Sequence, residues 1–482
     1  MHLRIITRFI AILSFFLGLS MAGPLLVSLI YKDTSAHALF LSMCITTSIS
    51  IILFIGTRTG HDVHLTHRDG VMVVTLGWVM AGLFGTLPYL LSGTIPDFTN
   101  AYFESISGFT TTGASILNNI EGLPEGILLW RSLTQWLGGM GIIVLSIAIL
   151  PFLGIGGMQL YRAEIPSPVV DKLKPRISET AKTLWKVYLL ITAVEVVLLV
   201  FGGMSLFDSV CHAFCTMPTG GFSTKNVSIA HFNSAYFDAI FIVFMLLAGI
   251  NFSLHYRMLK GDFRVFGRDS ECRVFLLMAV AFTLIVTVNI YGSVCGSIAE
   301  AFRQAAFHVS SILTTTGFVT ADYEKWPALS QIILLGCMFL GGMAGSTGGG
   351  MKTMRIMLLI RHGYTEVFRI IHPHAVTAVK LGGKAVQADI LSSIWGFFVL
   401  YIGLFLIASL IMASLGLDII SAFASVAASI GNIGPGLGVV GPVKNFFGIP
   451  LAGKWVLIFC MLLGRLEIYT VIVLMAPAFW HK

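Results

Sequence analysis

A threonine-glycine segment occurs four times along this chain, each time after a short amphipathic stretch and between two long apolar ones. Glycine lets a backbone aim successive carbonyl oxygens at one axis, and a stack of such oxygens can replace the water shell of K⁺. One copy alone would mean little, since turns use these residues constantly. Four copies in matching places predict a pseudo-fourfold pore, in which each copy supplies one wall of a cation filter. The copies are Phe109–Gly113, Met217–Gly221, Leu313–Phe318 and Ser429–Gly434.

The backbone carbonyls of these segments are the expected ligands, and Gly113, Gly220, Gly317 and Gly434 are taken as the equivalent glycines. On this alignment a threonine precedes the glycine in three copies, while Ile433 takes its place in the fourth. A filter made of backbone oxygens tolerates that difference, but it should be asymmetric. The expected filter residues are Thr110, Thr111, Thr112, Gly113, Pro218, Thr219, Gly220, Gly221, Thr315, Thr316, Gly317, Phe318, Asn432, Ile433 and Gly434.

A glycine-rich run, Gly341–Gly350, interrupts an apolar stretch that follows the third copy. Each glycine weakens a helix by roughly 1 kcal/mol relative to alanine, so the helix should break at mid-membrane. The alternative is tight helix packing through small residues. A phosphate-binding P-loop is rejected, because Met351 is inserted before Lys352 and no strand of a hydrophilic domain precedes the run.

Arg465 lies within the last apolar stretch, with mostly apolar residues on both sides. An arginine at mid-membrane is costly, and such residues usually face a cavity or a partner. Glu467 is close in sequence but falls on a different face of the helix. Arg465 is therefore expected either in a polar cavity or in ion-pair and carbonyl contacts that lock helices together.

The composition is that of a membrane protein: 56% of the residues are hydrophobic, only 11% are charged, and the mean hydropathy is +0.88. Soluble domains carry about 25% charged residues. Apolar runs near the ~20 residues that cross a bilayer recur from end to end, and the run from Ile10 to Ile30 is too long for a signal peptide. The predicted fold class is an all-α polytopic membrane protein.

Basic residues cluster in loops that fall on one side of the membrane when the helices are threaded consistently. By the positive-inside rule that side is cytoplasmic, so the filter faces outward and both termini are cytoplasmic. The net charge of +7 therefore needs no nucleic acid, and no aromatic-basic module accompanies it. The seven cysteines lie singly, without disulfide or metal-ligand spacing.

Two leading helices and four repeats are predicted, each repeat having a span, a short re-entrant helix, a filter loop and a second span. About ten spanning helices and four half-crossing ones result. The second spans of repeats 2 and 4 are expected as continuous helices over 234–256 and 451–478. The predicted ranges are 1–60 for the leading helices, 61–156, 157–260, 261–372 and 373–482 for the repeats, and 341–351 for a helix-breaking segment called the glycine loop below.

Each short helix is expected to open near an acidic residue, which suits the positive end of the helix dipole and caps its free N–H groups. The carboxyl ends then point toward the filter and favour a cation there. His212 and His308, within two of these helices, are expected to be hydrogen-bonded packing residues. The four acidic residues are Asp97, Asp208, Glu300 and Asp418.

On these residues the chain resembles the Trk/Ktr/HKT superfamily of K⁺ transporters, and within it the bacterial TrkH/TrkG type. The resemblance covers essentially the whole chain, including the two leading helices. The sequence departs from the family pattern at Met217–Pro218 and Gly431–Ile433, which bears on the Na⁺/K⁺ preference. Besides the filter, the resemblance is carried by Trp136–Gly141, Gly156–Glu164, Gly345–Gly350 and Gly464–Glu467.

The resemblance implies that the glycine loop lies under the filter and gates conduction, and that Arg465 reaches the ion path as an electrostatic barrier. It also implies a homodimer in the lipid of the bacterial inner membrane, with the filter facing the periplasm. Cytoplasmic TrkA-type regulatory subunits that bind NAD, ATP or ADP are the implied partners. The implied gate residues are Gly345, Ser346, Thr347, Gly348, Gly349, Gly350 and Arg465.

The expected function is that of the pore-forming, K⁺-selective subunit of a low-affinity bacterial potassium uptake system, which passes K⁺, Rb⁺ and some Na⁺ inward. K⁺ is the cargo, and no organic cofactor is expected on this chain. The alternative is a proton- or Na⁺-coupled symporter, which needs a titratable carboxylate near the midplane. Glu195 is the only acidic residue well inside an early span. An enzyme is not expected, since no nucleophile or paired carboxylates lie near a plausible cleft.

Overall fold

The computed structural model describes residues 2–57, 66–141, 177–375, 377–382 and 384–480, and almost all of its regular structure is helical. The Gly156–Glu164 segment and the end of the first repeat's second span lie outside the described residues. The first helices are α1 (Leu3–Ser20), α2 (Ala22–Tyr31), α3 (Ala36–Gly56), α4 (His67–Gly85), α5 (Leu87–Leu91), α6 (Phe98–Phe109) and α7 (Glu125–Trp136), which continues as a π-helix over Leu137–Gly141.

The remaining helices and two short strand pairs follow from residue 177 onward. The strands β1 (Leu340–Gly341) and β2 (Met351–Lys352) pair in parallel, and β3 (Lys380–Leu381) and β4 (Lys384–Ala385) pair antiparallel. The helices are α8 (Ile177–Phe201), α9 (Leu206–Thr216), α10 (Ala235–Gly249), α11 (Phe252–Leu259), α12 (Val265–Arg268), α13 (Ser270–Ile290), α14 (Ile298–Leu313), α15 (Ala328–Phe339), α16 (Thr353–Ile371), α17 (Ala388–Ser414), α18 (Ile419–Ile430), α19 (Leu451–Arg465), α20 (Ile468–Met475) and α21 (Pro477–Trp480).

Within the described ranges, six helices are long and apolar enough to cross a membrane, and two sharply bent helix pairs would raise the number to eight. The all-α polytopic class is thereby confirmed. Fewer spans than expected are found because α15 ends after 12 residues, where the glycine loop begins, and because part of the span predicted over 126–152 lies outside the described residues. The six spans are Leu3–Tyr31, Ala36–Gly56, Arg68–Leu91, Ala181–Phe201, Ser270–Ile290 and Ala388–Ser414.

Two helices expected to be continuous are broken instead. Helices α10 and α11 meet at 104°, and α19 and α20 meet at 119°, so the prediction of straight spans over 234–256 and 451–478 is wrong. At the first break the Asn251 side chain accepts a hydrogen bond from the Ser253 N–H at 2.8 Å and starts a new helix. At the second, Glu467 has a left-handed φ of 58°, through which a right-handed helix cannot continue.

The four short helices α6, α9, α14 and α18 all begin beside a carboxylate. Asp97 and Asp418 are themselves the N-caps of α6 and α18, each accepting a backbone N–H three residues on. Asp208 and Glu300 lie within the helices themselves, in the first turns of α9 and α14. In each case a negative group stands at the positive end of the helix dipole. The carboxyl ends therefore face the threonine-glycine segments.

The leading helices pack on one another and on α7 through small and polar groups. A Cβ added to Gly18 would lie 2.6 Å from Thr47 Cγ2, so α1 and α3 are in direct contact. The Asp33 carboxylate accepts the Gly126 N–H at 2.8 Å and fastens this pair to α7. Large apolar side chains remain exposed on the long spans, as suits a lipid-facing surface; they include Ile52, Phe201, Val288 and Leu410.

Candidate functional site

Each of the four short helices ends on a residue with a left-handed backbone. The φ angle is 53° at Thr111, 57° at Thr219, 61° at Thr315 and 53° at Asn432. The N–H of the following residue donates to a carbonyl five positions earlier, at 2.9, 2.8, 2.8 and 2.9 Å in chain order. This is the Schellman arrangement of a helix end. Four segments that are far apart in sequence therefore share one local conformation.

Threonine is an unusual residue at such a helix end, where glycine is the common choice. A β-branched side chain in the left-handed region costs about 1–2 kcal/mol, because its Cβ crowds the following carbonyl. Strain of this kind persists only where surrounding structure holds it, and it clusters at functional sites. Three threonines in the same strained position therefore make these helix ends the candidate site.

The four segments close into a ring through backbone contacts. Two residues after each left-handed residue stands a glycine whose φ is also positive: 80° at Gly113, 74° at Gly221, 83° at Gly317 and 96° at Gly434. A Cβ added to these four ring glycines would lie 2.1, 2.0, 1.9 and 2.7 Å from a carbonyl oxygen of the next segment. The fourth contact returns to the first segment, so the order is cyclic. The ring oxygens belong, in the same order, to Gly220, Thr316, Ile433 and Thr112.

The ring corrects the alignment of the second segment by one residue. Gly221 has the positive φ and the contact to the third segment, while Gly220 supplies a ring oxygen. Gly221, and not Gly220, is therefore equivalent to Gly113. The segment carries two successive glycines, and the first Thr-Gly pair was mistaken for the equivalent one. A threonine consequently precedes the ring glycine only at Thr112 and Thr316.

Threonine hydroxyls brace the first and third segments in the same way. Thr110 is the C-cap of α6, and its hydroxyl is 2.8 Å from the hydroxyl of Thr112. Thr314 and Thr316 repeat this contact at 2.8 Å. The hydroxyls thus restrain the backbone on both sides of the left-handed residue.

Among the predicted filter carbonyls that make no ring contact, two accept hydrogen bonds from nearby hydroxyls. The Phe318 carbonyl accepts the Ser311 hydroxyl at 2.7 Å and so turns back to its own short helix. The Pro218 carbonyl accepts the Thr219 hydroxyl at 2.5 Å. The predicted filter residues come together in space, but the contacts that close the ring single out one carbonyl from each segment.

Of the four left-handed residues, two have a buried side-chain oxygen without a hydrogen-bond partner among the described residues, namely Thr111 Oγ1 and Asn432 Oδ1. The amide nitrogen of Asn432 is engaged: it donates to the Thr112 hydroxyl and to the Met461 carbonyl, both at 3.0 Å. Leaving a buried acceptor unpaired costs about 1–3 kcal/mol. Both oxygens belong to left-handed residues, directly before the ring carbonyls.

A second layer of polar side chains holds the loops that return from the ring. The first three short helices carry such a residue at the same offset before their left-handed residue. The contacts are Glu104 to the Ile116 N–H at 2.9 Å, His212 to the Ser223 hydroxyl at 2.9 Å and His308 to the Ala321 carbonyl at 3.1 Å. The two histidines are hydrogen-bonded packing residues, as expected. Sequence reasoning missed Glu104, although its offset from Thr111 equals that of His212 from Thr219.

Glu104 also forms a buried ion pair with Arg131 of α7, which sequence reasoning missed as well. Arg131 Nε lies 2.7 Å from the carboxylate, and the two side chains are 3% and 0% exposed. Arg131 also donates to the Ser223 carbonyl at 2.8 Å, and its guanidinium lies 3.6 Å from the centre of the Phe222 ring. The pair ties the first return loop to the second. The available signal was a lone arginine in an apolar helix.

The glycine loop leaves the helix, as expected, and lies against the ends of the short helices. Strands β1 and β2 close it at its base. The Gly349 N–H donates to the Thr315 hydroxyl at 2.7 Å, and the Thr347 hydroxyl donates to the Met217 carbonyl at 2.9 Å. A Cβ added to Gly349 would lie 2.4 Å from the Gly431 carbonyl oxygen. The loop therefore touches the ends of three of the four short helices.

Arg465, the last residue of α19, connects the glycine loop to the π-helix after α7. Its guanidinium donates to the Thr347 carbonyl at 2.8 Å and to the carbonyls of Gly138–Gly139 at 2.6 and 2.9 Å. Carbonyl contacts that lock elements together, one of the two expectations for this residue, are thus present. Glu467 does not share a helix with Arg465, contrary to the expectation of a different face of one helix: it lies in the break after α19 and pairs with Arg355 at 2.5 Å.

Glu271, in the first turn of α13, holds both ends of the glycine loop. One carboxylate oxygen accepts the Ala344 N–H at 2.8 Å and the Met354 N–H at 3.0 Å. Lys352 reaches back into the loop and donates to the Gly348 carbonyl. Sequence reasoning missed Glu271, because an acidic residue in a first turn is usually a capping group. The loop is therefore held at its base by a carboxylate and at Thr347 by Arg465.

A multi-span helical protein that closes four buried backbone segments into a ring of carbonyl oxygens has the design of a membrane cation transporter and not of an enzyme. A family model described as TrkH, a cation transport protein, matches residues 36–482. The chain belongs to this family, and the resemblance inferred from its motifs is confirmed.

Individual relatives match along the full chain. Over 489 residues the chain is 44% identical to the Trk system potassium uptake protein TrkH of Escherichia coli, with 100% of both chains covered. It is 35% identical over 484 residues to the potassium uptake protein TrkG of Escherichia coli, covering 99% of that relative. The crystal structure of the potassium transporter TrkH from Vibrio parahaemolyticus is similar with a TM-score of 0.89 and 38% identity, both chains being fully covered.

The substitution Gly113→Ala should disrupt the ring. Its Cβ would lie 2.1 Å from the Gly220 oxygen, so the second segment must move. Overpacking of this kind costs about 1–3 kcal/mol, which corresponds to a fall in Rb⁺ uptake on the order of tenfold in proteoliposomes. Gly93→Ala is the matched control, because Gly93 has a similar φ of 71° and open space around it. Equal uptake by the two variants would contradict the ring geometry.

The substitution Arg131→Met should destabilise the protein strongly, because it leaves Glu104 buried without its partner. Breaking a buried ion pair in this way costs about 3–5 kcal/mol, measurable as a lower thermal midpoint in detergent. The double variant Glu104→Gln/Arg131→Met should recover much of that loss. Lys325→Met is the control, since Lys325 pairs with Asp322 but is 79% exposed. An equal fall in the thermal midpoint of Arg131→Met and Lys325→Met would contradict a special contribution of the buried ion pair to stability.

Proposed function

We propose that the chain is the pore-forming, K⁺-selective subunit of a low-affinity bacterial potassium uptake system. The observation that carries this proposal is the cyclic contact of the four threonine-glycine segments, in which one buried backbone oxygen of each segment lies against a glycine of a neighbouring segment. Relatives along the full length are named potassium uptake proteins. Rb⁺ should follow the same path, and Na⁺ should do so less readily.

The ring suits a partly dehydrated monovalent cation. Carbonyl oxygens replace the water shell of K⁺ without adding net charge, so the ion can leave again. The carboxyl ends of four helices point to this place, and their dipoles favour a positive charge there. The unpartnered oxygens of Thr111 and Asn432 add two acceptors next to the ring. K⁺ would supply what these buried oxygens lack.

The glycine loop and Arg465 are proposed as the gate. The loop touches three helix ends close to the ring, so it stands where an ion leaving the ring must pass. Arg465 places a positive charge against the loop and holds it to the π-helix. Opening requires the loop to leave the helix ends, and its glycines allow that change without side-chain clashes. Gating is thus both steric and electrostatic.

The organisation around this pore completes the proposal. Residues 1–60 form two leading helices, and 61–156, 157–260, 261–372 and 373–482 form four repeats around one axis. The filter faces the periplasm, and the basic loops and both termini face the cytoplasm. An inside-negative potential then drives K⁺ inward by about 2.3 kcal/mol per 100 mV. A homodimer in the inner membrane with cytoplasmic TrkA-type subunits that bind NAD, ATP or ADP agrees with relatives named as parts of a Trk system.

A coupled symporter is the second candidate, and one observation favours it. Glu195 in α8 is fully buried beside the Thr216 side chain of α9 and forms no ion pair with a basic residue among the described residues. An ionisable residue within a span is a candidate proton or cation site. Coupling through Glu195 would make uptake depend on an imposed pH gradient.

Uptake of radioactive Rb⁺ into proteoliposomes tests the proposal directly. K⁺ should compete strongly and Na⁺ weakly, and a pH gradient at constant membrane potential should leave the rate unchanged. Glu195→Gln should have little effect, because a pore needs no titratable group. Uptake that follows the pH gradient, and loses this dependence in Glu195→Gln, would establish the symporter in place of the pore. Equal competition by Na⁺ and K⁺ would reject K⁺ selectivity.

The substitution Arg465→Ala should raise the Rb⁺ uptake rate, because it removes a positive charge and the contacts that hold the glycine loop. A change of several-fold is expected, since hydrogen bonds from a charged group are worth roughly 1.5–3 kcal/mol each. Arg268→Ala is the control, because Arg268 is 68% exposed and far from the loop in sequence. Unchanged uptake at equal amounts of protein would refute the barrier role.

A further inference from the structure

The second segment differs from the others at its ring position. The residues that supply ring oxygens in the other segments carry side chains, at Thr112, Thr316 and Ile433, whereas the second has Gly220. A side chain at position 220 would collide with Gln135, because an added Cβ would lie 2.4 Å from the Cδ atom of Gln135. Gln135, which belongs to α7 of the first repeat, therefore occupies the place of the missing side chain.

The Gln135 amide forms hydrogen bonds with the backbone at the ring position and two residues after it. Its nitrogen donates to the Gly220 carbonyl at 2.6 Å, and its oxygen accepts the Phe222 N–H at 3.1 Å. The side chain is fully buried, so water does not compete for these bonds. Since a carbonyl can only accept and an N–H can only donate, both bonds define the orientation of the amide.

This contact makes the Gly220 oxygen unlike the other three. Within the described ranges, no hydrogen bond is found on the carbonyl oxygens of Thr112, Thr316 or Ile433. A carbonyl has two lone pairs, so the Gly220 oxygen can accept from Gln135 and still face an ion. Its position is restrained by the amide, although Gly220–Gly221 is the most flexible backbone of the four segments.

We propose that Gln135 is a specificity-determining residue, which keeps the Gly220 carbonyl from closing onto a cation smaller than K⁺. This inference rests on the proposed function. Na⁺ would require the ring oxygens to move inward, and the two glycines would allow that movement most readily in the second segment. The amide opposes it, because its hydrogen bond ties the Gly220 oxygen to α7 of the first repeat. Loss of the amide should therefore lower the discrimination between K⁺ and Na⁺ more than it lowers transport itself.

The experiment compares wild type, Gln135→Met and Gln331→Met in proteoliposomes, with K⁺ and Na⁺ as competitors of Rb⁺ uptake and a thermal midpoint for each protein. Met is close to Gln in size but lacks both amide bonds. Gln331→Met is the matched control. The Gln331 amide, on α15, also donates to backbone carbonyls, those of Glu324 at 2.7 Å and Trp326 at 2.9 Å, but these carbonyls are not part of the ring. Gln135→Glu, which keeps the acceptor for the Phe222 N–H, replaces the Met variant if that variant does not fold.

In the Gln135 variant the ratio of the Na⁺ to the K⁺ inhibition constant should fall about fivefold toward one, which is the effect of losing one hydrogen bond. In Gln331→Met the ratio should stay unchanged. A wild-type ratio in a folded Gln135 variant would overturn the inference and leave the proposed function standing. A loss of uptake with an unchanged ratio would assign Gln135 to stability alone and also overturn it. A wild-type protein without K⁺ preference would refute the proposed function, and the inference with it.

Discussion

The left-handed backbone at the ends of the four short helices is the constraint on which the structure depends. It lets each helix finish with a Schellman turn, and the turn delivers one carbonyl to the ring and one glycine to the next segment's oxygen. Three of the four residues are threonines, each held in this conformation at a cost of about 1–2 kcal/mol. Neighbouring groups must therefore hold each turn in place, and the buried polar layer behind the ring does so.

That layer uses different chemistry in each quarter of the ring. The first return loop is held by Glu104 and its partner Arg131, the second by His212 and Gln135, and the third by His308. One backbone arrangement is thus supported by unrelated side chains. The third and fourth quarters also supply the glycine loop and Arg465, so the elements we assign to gating come from two quarters of a ring built by all four.

The sequence predicted the parts of this structure that depend on local pattern. Apolar runs located the long spans, the acidic residues marked the starts of the short helices, and the glycine density of 341–350 predicted the break after α15. The one-residue error at Gly220 arose because only the ring contacts distinguish two adjacent glycines. Glu104, Gln135 and Glu271 were missed because their roles depend on partners that lie far away in sequence, which are Arg131, Gly220 and Ala344 respectively. The helix breaks after α10 and α19 combine local backbone features with distant contacts: the Phe252 N–H donates to the Gly345 carbonyl at 3.1 Å, and Glu467 pairs with Arg355.

Location of the bound cation tests most directly whether the four unequal segments form one ion site. Crystals grown with Rb⁺ in place of K⁺ would show the ion by its anomalous scattering. The strongest peak should lie on the ring axis, within coordination distance of the carbonyl oxygens of Thr112, Gly220, Thr316 and Ile433. A ring without a peak, in crystals where Rb⁺ is bound elsewhere, for example beside Glu195, would contradict the assignment of the ring as the filter.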